Sequence, residues 1–298
     1  MDVILSGLAH LPQAEQDTLA QGLDVVVGGQ TATIARALVR LGVPVTFVGR
    51  VGDDEYGQRA IRQLAEDGVD TSGIVVDPEL KTGVTVVLST GKERALATYM
   101  GSISEVRKGD VRPDLLRRAS HLHVGSYFLQ RRLQAEMTAL FQEAKQLGLT
   151  ISVDPGWDSF EEWGAGIHEV LPYVDLFLPN EVEAMMITRR QSVAEAVAIL
   201  AEYGGTVAVK MGGKGCLVTG RGGTFTSPPF AVSVIDVTSA GDVFNAGFLF
   251  GFLSGWDLRA TARFANACGA IAVSRIGSQG IIASMDEVQE FLVAHPAS

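Results

Sequence analysis

Ser233-Val-Ile-Asp236-Val-Thr238-Ser239-Ala240-Gly241-Asp242-Val-Phe-Asn-Ala-Gly247-Phe-Leu-Phe-Gly251 changes character halfway along. As far as Asp242 it is small and polar. From Val243 to Leu253 it is almost wholly apolar, with glycines inserted. An apolar run after Ser-Ala-Gly-Asp predicts a buried helix whose first turn carries tiny side chains. Small residues there let a ligand reach backbone N–H groups that have no acceptor within the helix. Those donors and the helix dipole favour an anion such as a phosphate. Asp242, in that first turn, is placed to take a proton from an attacking hydroxyl. The same residues also fit a plain acidic helix start with glycines for close packing.

Composition narrows the field. With 298 residues, 47% of them hydrophobic, the chain can bury a full core. Its apolar runs are broken by Gly, Ser or charge before they reach membrane-spanning length, so no transmembrane helix is expected. The start, Met1-Asp-Val-Ile-Leu-Ser, has no basic n-region and no cleavage pattern, so no signal peptide is expected. Cys216 and Cys268 are the only cysteines, and both lie in apolar surroundings. That fits a reducing cytoplasm better than a disulfide framework. A net charge of -10 argues against non-specific nucleic-acid binding. It still permits an anionic nucleotide held by a local backbone nest.

Short apolar runs alternate with helical patterns along the chain. Val3-Ile-Leu-Ser-Gly7 reads as a first buried strand. Thr31 to Leu41 predicts a helix with Ile34, Leu38 and Leu41 on one face, ended by Gly42. Val45-Thr-Phe-Val-Gly49 is the next strand and Tyr56 to Asp67 the next helix, closed by Gly68. Then come His121-Leu-His-Val-Gly125, a helix with Leu133, Met137, Leu140 and Ala144 on one stripe, and Thr150-Ile-Ser-Val-Asp154. Val174-Asp-Leu-Phe-Leu178 and Val207-Ala-Val-Lys210 continue the series. Capping boxes at Ser192-Val-Ala-Glu195 and Ser284-Met-Asp-Glu287 start two further helices. The alternation predicts an α/β fold over 1–298, with a mainly parallel sheet covered on both faces.

One region breaks the rhythm. Thr82-Gly-Val-Thr-Val-Val-Leu-Ser-Thr90 and Arg94-Ala-Leu-Ala-Thr-Tyr99 flank Gly91-Lys92-Glu93, which is a β-hairpin signal. Leu23-Asp-Val-Val-Val27 reads as one more strand, and the two together predict a small separate sheet.

Asp236-Val237-Thr238-Ser239-Ala240-Gly241-Asp242 resembles the second signature of the PfkB, or ribokinase-like, carbohydrate kinases, Asp-Thr-x-Gly-Ala-Gly-Asp. Ser239 stands for its first Gly and Val237 for its commoner Thr. The resemblance implies a ribokinase-like three-layer fold in a single domain. It implies that Asp242 is the catalytic base and that the Ser239, Ala240, Gly241 and Asp242 backbone forms an anion hole. It also implies a β lid over the sugar site from about 10–27 and 82–102, through which homodimers often form. A lid suits phosphoryl transfer because it keeps water from the phosphate.

Further positions match the same family. Gly28-Gly29-Gln30-Thr31-Ala32-Thr33-Ile34-Ala35, followed by Leu41-Gly42, resembles its first signature. This implies substrate contacts from Gly28, Gly29, Gln30 and Thr33, with His10 and Tyr99 as further candidates. Asn180-Glu181-Val-Glu183, just past a strand, resembles the metal and phosphate motif and implies Glu183 acting on Mg²⁺ through water. It fits an acidic helix start as well. Lys210-Met-Gly212-Gly213-Lys214-Gly215 fits a hairpin or a nucleotide-facing loop. The resemblance sets Lys210, Gly212, Gly213 and Gly215 along ATP. Asn266-Ala-Cys-Gly-Ala-Ile-Ala-Val-Ser274-Arg-Ile-Gly277 resembles the adenine-side helix and loop, with Asn266 its polar exception. Asp236 and Thr238 are implied ligands of a monovalent cation such as K⁺; an Asp satisfied by backbone N–H groups fits as well.

Two departures fall on the substrate side. Thr33 stands where the family has Asn, and Pro12, five residues after Gly7, where it commonly has a sugar-gripping Asp. A sugar that needs both contacts, such as free ribose, is expected to bind poorly.

The reading is an ATP- and Mg²⁺-dependent cytoplasmic kinase acting on an alcohol of a sugar or sugar derivative. Two alternatives stay open. One is a nucleoside kinase, for which Tyr99, Tyr127 and Phe128 would supply an aromatic pocket. The other is a sugar- or nucleoside-binding protein with little catalysis. A dinucleotide oxidoreductase is disfavoured, because Gly7-Leu-Ala-His-Leu-Pro lacks the glycine fingerprint.

Overall fold

The computed structural model describes residues 1–90, 93–164, 166–275 and 282–296. Gly91, Lys92 and Gly277, which belong to the hairpin turn and the C-terminal motif, lie outside them. In chain order the strands are β1 (Asp2–Ser6), β2 (Gly22–Val26), β3 (Thr46–Gly52), β4 (Asp70–Asp77), β5 (Val84–Ser89), β6 (Arg94–Tyr99), β7 (His121–Val124), β8 (Thr150–Val153), β9 (Leu176–Phe177), β10 (Thr206–Lys210), β11 (Cys216–Gly220) and β12 (Gly223–Ser227). The α-helices are α1 (Gln30–Arg40), α2 (Glu55–Glu66), α3 (Pro113–Arg118), α4 (Arg131–Gln134), α5 (Met137–Gln146), α6 (Ile167–Val170), α7 (Glu181–Thr188), α8 (Val193–Ala201), α9 (Ala240–Leu253), α10 (Leu258–Val273) and α11 (Met285–Ala294).

The main sheet runs β12-β11-β10-β9-β8-β7. Strands β7 to β10 are parallel, with Val124 opposite Val153 and Val207 opposite Phe177. β11 and β12 extend the sheet as an antiparallel hairpin. These strands are continuous apolar runs because both faces are covered. Phe177, Val207 and Val209 face one core layer with Leu140, Phe141 and Leu200 from α5 and α8. Their neighbours Leu176 and Ala208 face the other, with Ile34, Phe248 and Ile271 from α1, α9 and α10. Side-chain alternation thus divides each strand between two cores.

Helices α9 and α10 pack closely, and Gly247 and Gly251 permit it. A Cβ on Gly247 would lie 3.0 Å from Ala265 Cα, and one on Gly251 would lie 2.8 Å from Thr261 Oγ1. The glycines in the apolar half of the deciding stretch therefore serve helix packing.

A second sheet has the order β2-β1-β5-β6, and β3 and β4 form a separate parallel pair. The hairpin β5–β6 and the strand β2 form where the sequence expects them. β1 departs from expectation. Its residues are only half-buried, and it joins this small sheet between β2 and β5. A run of four apolar-tolerant residues reads alike in either sheet, so the pattern alone does not choose. Residues 7–21 carry no strand or helix. The single stripe expected from Leu133 to Ala144 breaks into α4 and α5 at Ala135 and Glu136. Ser284 and Glu287 make a reciprocal capping box, whereas Ser192 only accepts from the Glu195 N–H.

Asp54 fixes the root of the hairpin. It caps α2 by accepting the Gly57 N–H at 2.9 Å, and it also accepts the Thr82 N–H at 2.8 Å and hydroxyl at 2.7 Å. A cavity of about 340 Å³ lies between β3 and β7, and Asp2, Gly28, Gly29 and Gln30 line it at one end.

Candidate active site

Three parallel strands deliver polar groups at their C-terminal ends, where ligands of α/β sheets bind. Asp154 directly follows β8, Asn180 follows β9 and Lys210 ends β10. Asn180 and Lys210 are joined by a bridge beyond the regular strands. Lys210 Nζ lies 2.6 Å from Asp154 Oδ2, donates to the Leu178 carbonyl and reaches Asn245 Oδ1 at 3.1 Å. Asn245, on α9, donates its amide N–H to the same Asp154 oxygen, and the Gly156 N–H donates to the other at 2.8 Å. Burial alone would raise the Asp154 carboxyl. The Lys210 ammonium, the Asn245 amide and the Gly156 N–H outweigh burial and hold it below the usual carboxylate range.

Two more carboxylates share this field. Burial and the Asp154 charge push Asp242 up to about 7, against the opposing pull of Lys210 and a hydrogen bond from Gln30. Glu183 is raised to about 7 for the same two reasons, against Lys210 and the Asn180 N–H. One ammonium already spent on Asp154 thus faces two carboxyls poised at neutrality. Such a pKa suits a general base.

Gln30 opens α1 and connects the Gly28-Gly29 turn to Asp242. Its Oε1 accepts the Ser126 N–H and, at 2.8 Å, the Ser126 hydroxyl. That fixes the amide so that its N–H group faces Asp242. A Cβ on Gly28 would fall 1.9 Å from Asp2 Oδ2, so only glycine leaves room for that carboxylate.

Ser239 caps α9 in the left-handed region, at φ 58. The Asp242 N–H is turned back onto the Ser239 carbonyl at 3.0 Å, and the Ala240 N–H reaches Val237 O at 3.4 Å. Among the described residues the Ser239 and Gly241 N–H groups have no acceptor. Two of the four expected anion-hole donors are therefore free, one is weakly held and one is engaged. Thr238 N–H donates to Asp236 Oδ1 at 2.8 Å, and the Thr238 hydroxyl accepts from Arg94 at 2.7 Å.

Other positions singled out in the sequence are placed as follows. Asn180 and Glu183 form a reciprocal capping box on α7, with N–H to carboxylate and carbonyl distances of 2.8 and 2.9 Å. Gly212, Gly213 and Gly215 lie in the tight turn between β10 and β11. Asn266 is buried and ties α10 to Ser227 and Pro228 at the end of β12. Thr33 is buried within α1, and Tyr99 is exposed on β6. Tyr127 and Phe128 are core residues, not an open aromatic pocket. His10 is exposed and, among the described residues, bonds only the neighbouring Leu11 carbonyl. Pro12 is exposed, and the carboxylate beside Gly28 is that of Asp2.

The sequence reading missed Asp154, Asn245, Ser126 and Asp2. A usable signal existed for Asp154 alone: an acid at the C-terminal end of an apolar strand. Among the described residues no three His, Cys, Asp or Glu side chains are set to hold a metal. A bound Mg²⁺ would take most of its ligands from nucleotide phosphates and water.

Comparison with known proteins supplies the family. The sequence model for pfkB family carbohydrate kinases matches residues 1–284. A ribokinase of Haemophilus influenzae is 29% identical over 282 residues, covering 91% of this chain and 89% of the relative. Fructokinase-2 of Oryza sativa subsp. japonica is 28% identical over 283 residues, covering 89% of this chain and 84% of the relative. The crystal structure of a putative ribokinase II from E. coli in complex with ATP and Mg²⁺ superposes with a TM-score of 0.86 at 26% identity, covering 98% of this chain and 96% of that one. With its family pattern matched almost end to end on a ribokinase-like fold, the chain belongs to the pfkB family of carbohydrate kinases.

Proposed function

We propose that this carbohydrate kinase transfers the γ-phosphoryl group of ATP to a hydroxyl of a sugar or sugar derivative, with Asp242 as general base. The observation that carries the reading is the Asp242 carboxyl poised at about 7 beside the free N–H groups that open α9. Asp242 takes the proton of the sugar hydroxyl as its oxygen bonds to the γ-phosphorus. The bond to the β-phosphate oxygen breaks, and ADP leaves. The Ser239 and Gly241 N–H groups receive charge on the transferred group. Gln30 holds Asp242 in place, and Lys210 with Asp154 sets its proton affinity.

The Gly28-Gly29 turn and the Asp2 carboxylate form the sugar end. The Asp2 carboxylate, which lines the cavity beside Gly28, offers an acceptor that Pro12 lacks. The small sheet, rooted by Asp54 at Thr82, acts as the lid. Glu183 supports Mg²⁺ through water. A nucleoside is the weaker choice of substrate, because Tyr127 and Phe128 are locked in the core.

ADP release measured against ribose, fructose, other hexoses, a sugar acid and a nucleoside tests the reading. Sugar-dependent release that disappears in Asp242→Asn supports it. Release independent of every acceptor in the panel refutes it.

A further inference from the structure

We propose that Arg94 is a lid-borne phosphate ligand, brought by the small β sheet onto the phosphoryl group being transferred. This rests on the kinase reading above and adds to it a residue outside both signature stretches. Arg94 opens β6, and its Nη1 donates to the Thr238 hydroxyl at 2.7 Å across a sequence gap of 144 residues. Thr238 immediately precedes Ser239, whose N–H is one of the two free donors at the start of α9. The guanidinium therefore already touches the anion-binding loop.

Charge explains why a cation is needed there. Asp154, Glu183 and Asp242 converge on the site, and Lys210 is enclosed by Asp154, the Leu178 carbonyl and Asn245. A nucleoside triphosphate adds more negative charge to that field. Arg94 is exposed and makes no ion pair among the described residues. Its fork of five N–H donors has one committed to a neutral hydroxyl. Exchanging that bond for a bidentate phosphate contact is favourable, because charged and paired hydrogen bonds are the stronger ones. The contact also ties closure to occupancy. Arg94 reaches the loop only when the sheet is seated, so a phosphate held there favours the closed, water-excluding state.

The test compares wild type, Arg94→Ala, Arg94→Lys and Asp242→Asn. Melting temperature is read with Mg-ADP, and with Mg-ADP plus aluminium fluoride and the best sugar of the panel. Steady-state kinetics are read on the same sugar. The expectation for Arg94→Ala is an unchanged melting temperature without ligand and a retained ADP shift. The extra aluminium fluoride shift is lost, and kcat falls about tenfold to a hundredfold, the usual range for a lost charged hydrogen bond. Its sugar KM stays within threefold, and Arg94→Lys recovers part of both losses. An Arg94→Ala protein that keeps the full aluminium fluoride shift and more than half of kcat overturns the proposal. If Asp242→Asn is inactive in that same experiment, the kinase reading stands without it. If wild type phosphorylates no sugar at all, the kinase reading falls, and the aluminium fluoride shift alone decides for or against Arg94.

Discussion

Lys210 and Asp154 form an ion pair of 2.6 Å at the ends of β10 and β8, with the Asp154 side chain wholly shut from solvent. Removing one partner of such a pair strands the other charge. Lys210→Met should therefore cost about 3–5 kcal/mol of stability, read from the urea midpoint. Combining it with Asp154→Asn should return more than half of that loss, because the stranded charge is gone. Additive losses in the double variant would show that the pair is not coupled.

Asp242→Asn keeps the side-chain shape and a donor toward the anion. Folding and ATP binding should survive, while kcat falls by roughly 10²–10⁴-fold, the usual contribution of a general base. Retention of more than half the activity would remove Asp242 from that role.

The same carboxyl makes two statements about pH. Only the carboxylate can accept a proton, so kcat/KM should rise with pH through about 7 and then level. Asp154→Asn removes the negative charge that raises Asp242 and leaves the Lys210 cation unopposed. Both changes move the rise to lower pH. Stability runs the other way. Folded Asp242 and Glu183 hold their protons up to about 7, well above their values in an unfolded chain. The native state therefore binds more protons across that window, and stability falls as pH rises through it. The urea midpoint should drop between pH 5 and pH 8, and Asp242→Asn should flatten part of the drop.

The start of α9 was legible because its signal is local: small polar residues, then an unbroken apolar run. The parallel sheet was legible for the same reason, since strands buried on both faces need continuous apolar residues. Asp154 was not. At the end of Thr150–Asp154 it looks like any acid after a strand, and only sheet pairing brings Lys210, 56 residues on, to its carboxylate. Nothing local in Gln30 announces that its amide oxygen accepts from Ser126, which lies 96 residues away. Asp2 carried no pattern at all. Its place follows from β1 joining the small sheet, and a five-residue strand does not announce which sheet it will enter.

Ser239 stores strain at the head of α9. A side chain at φ 58 costs about 1–2 kcal/mol in the left-handed region, and Ser239 makes no capping hydrogen bond in return. Glycine adopts that backbone freely but loses about 0.5–1 kcal/mol more entropy on folding. Ser239→Gly should therefore stabilise the chain by about 0.5–1 kcal/mol in urea unfolding. A destabilised Gly variant would mean that the hydroxyl is doing something the backbone geometry does not reveal.

Asp2 gives the sharpest test of the sugar end. Its carboxylate fills the space that a side chain on Gly28 would need, and it lines the cavity together with Gly29 and Gln30. Burial raises its pKa against the pull of the Met1 ammonium, and no hydrogen-bond donor meets its side chain among the described residues. A half-buried acceptor with no hydrogen-bond donor of its own gains most from a ligand that supplies hydroxyl donors. Asp2→Asn replaces a charged acceptor by a neutral one and should raise the sugar KM about tenfold to a hundredfold, matching the roughly 1.5–3 kcal/mol of a charged hydrogen bond. The KM for ATP should move less than twofold, since the proposed phosphate site is at the start of α9, away from Asp2. Ribose is the informative acceptor. The Pro12 and Thr33 positions predict that it binds poorly, whereas an engaged Asp2 predicts that it binds well and that Asp2→Asn abolishes the advantage. Equal ribose KM values in wild type and variant would show that Asp2 only packs against Gly28, and the expectation of poor ribose use would be restored.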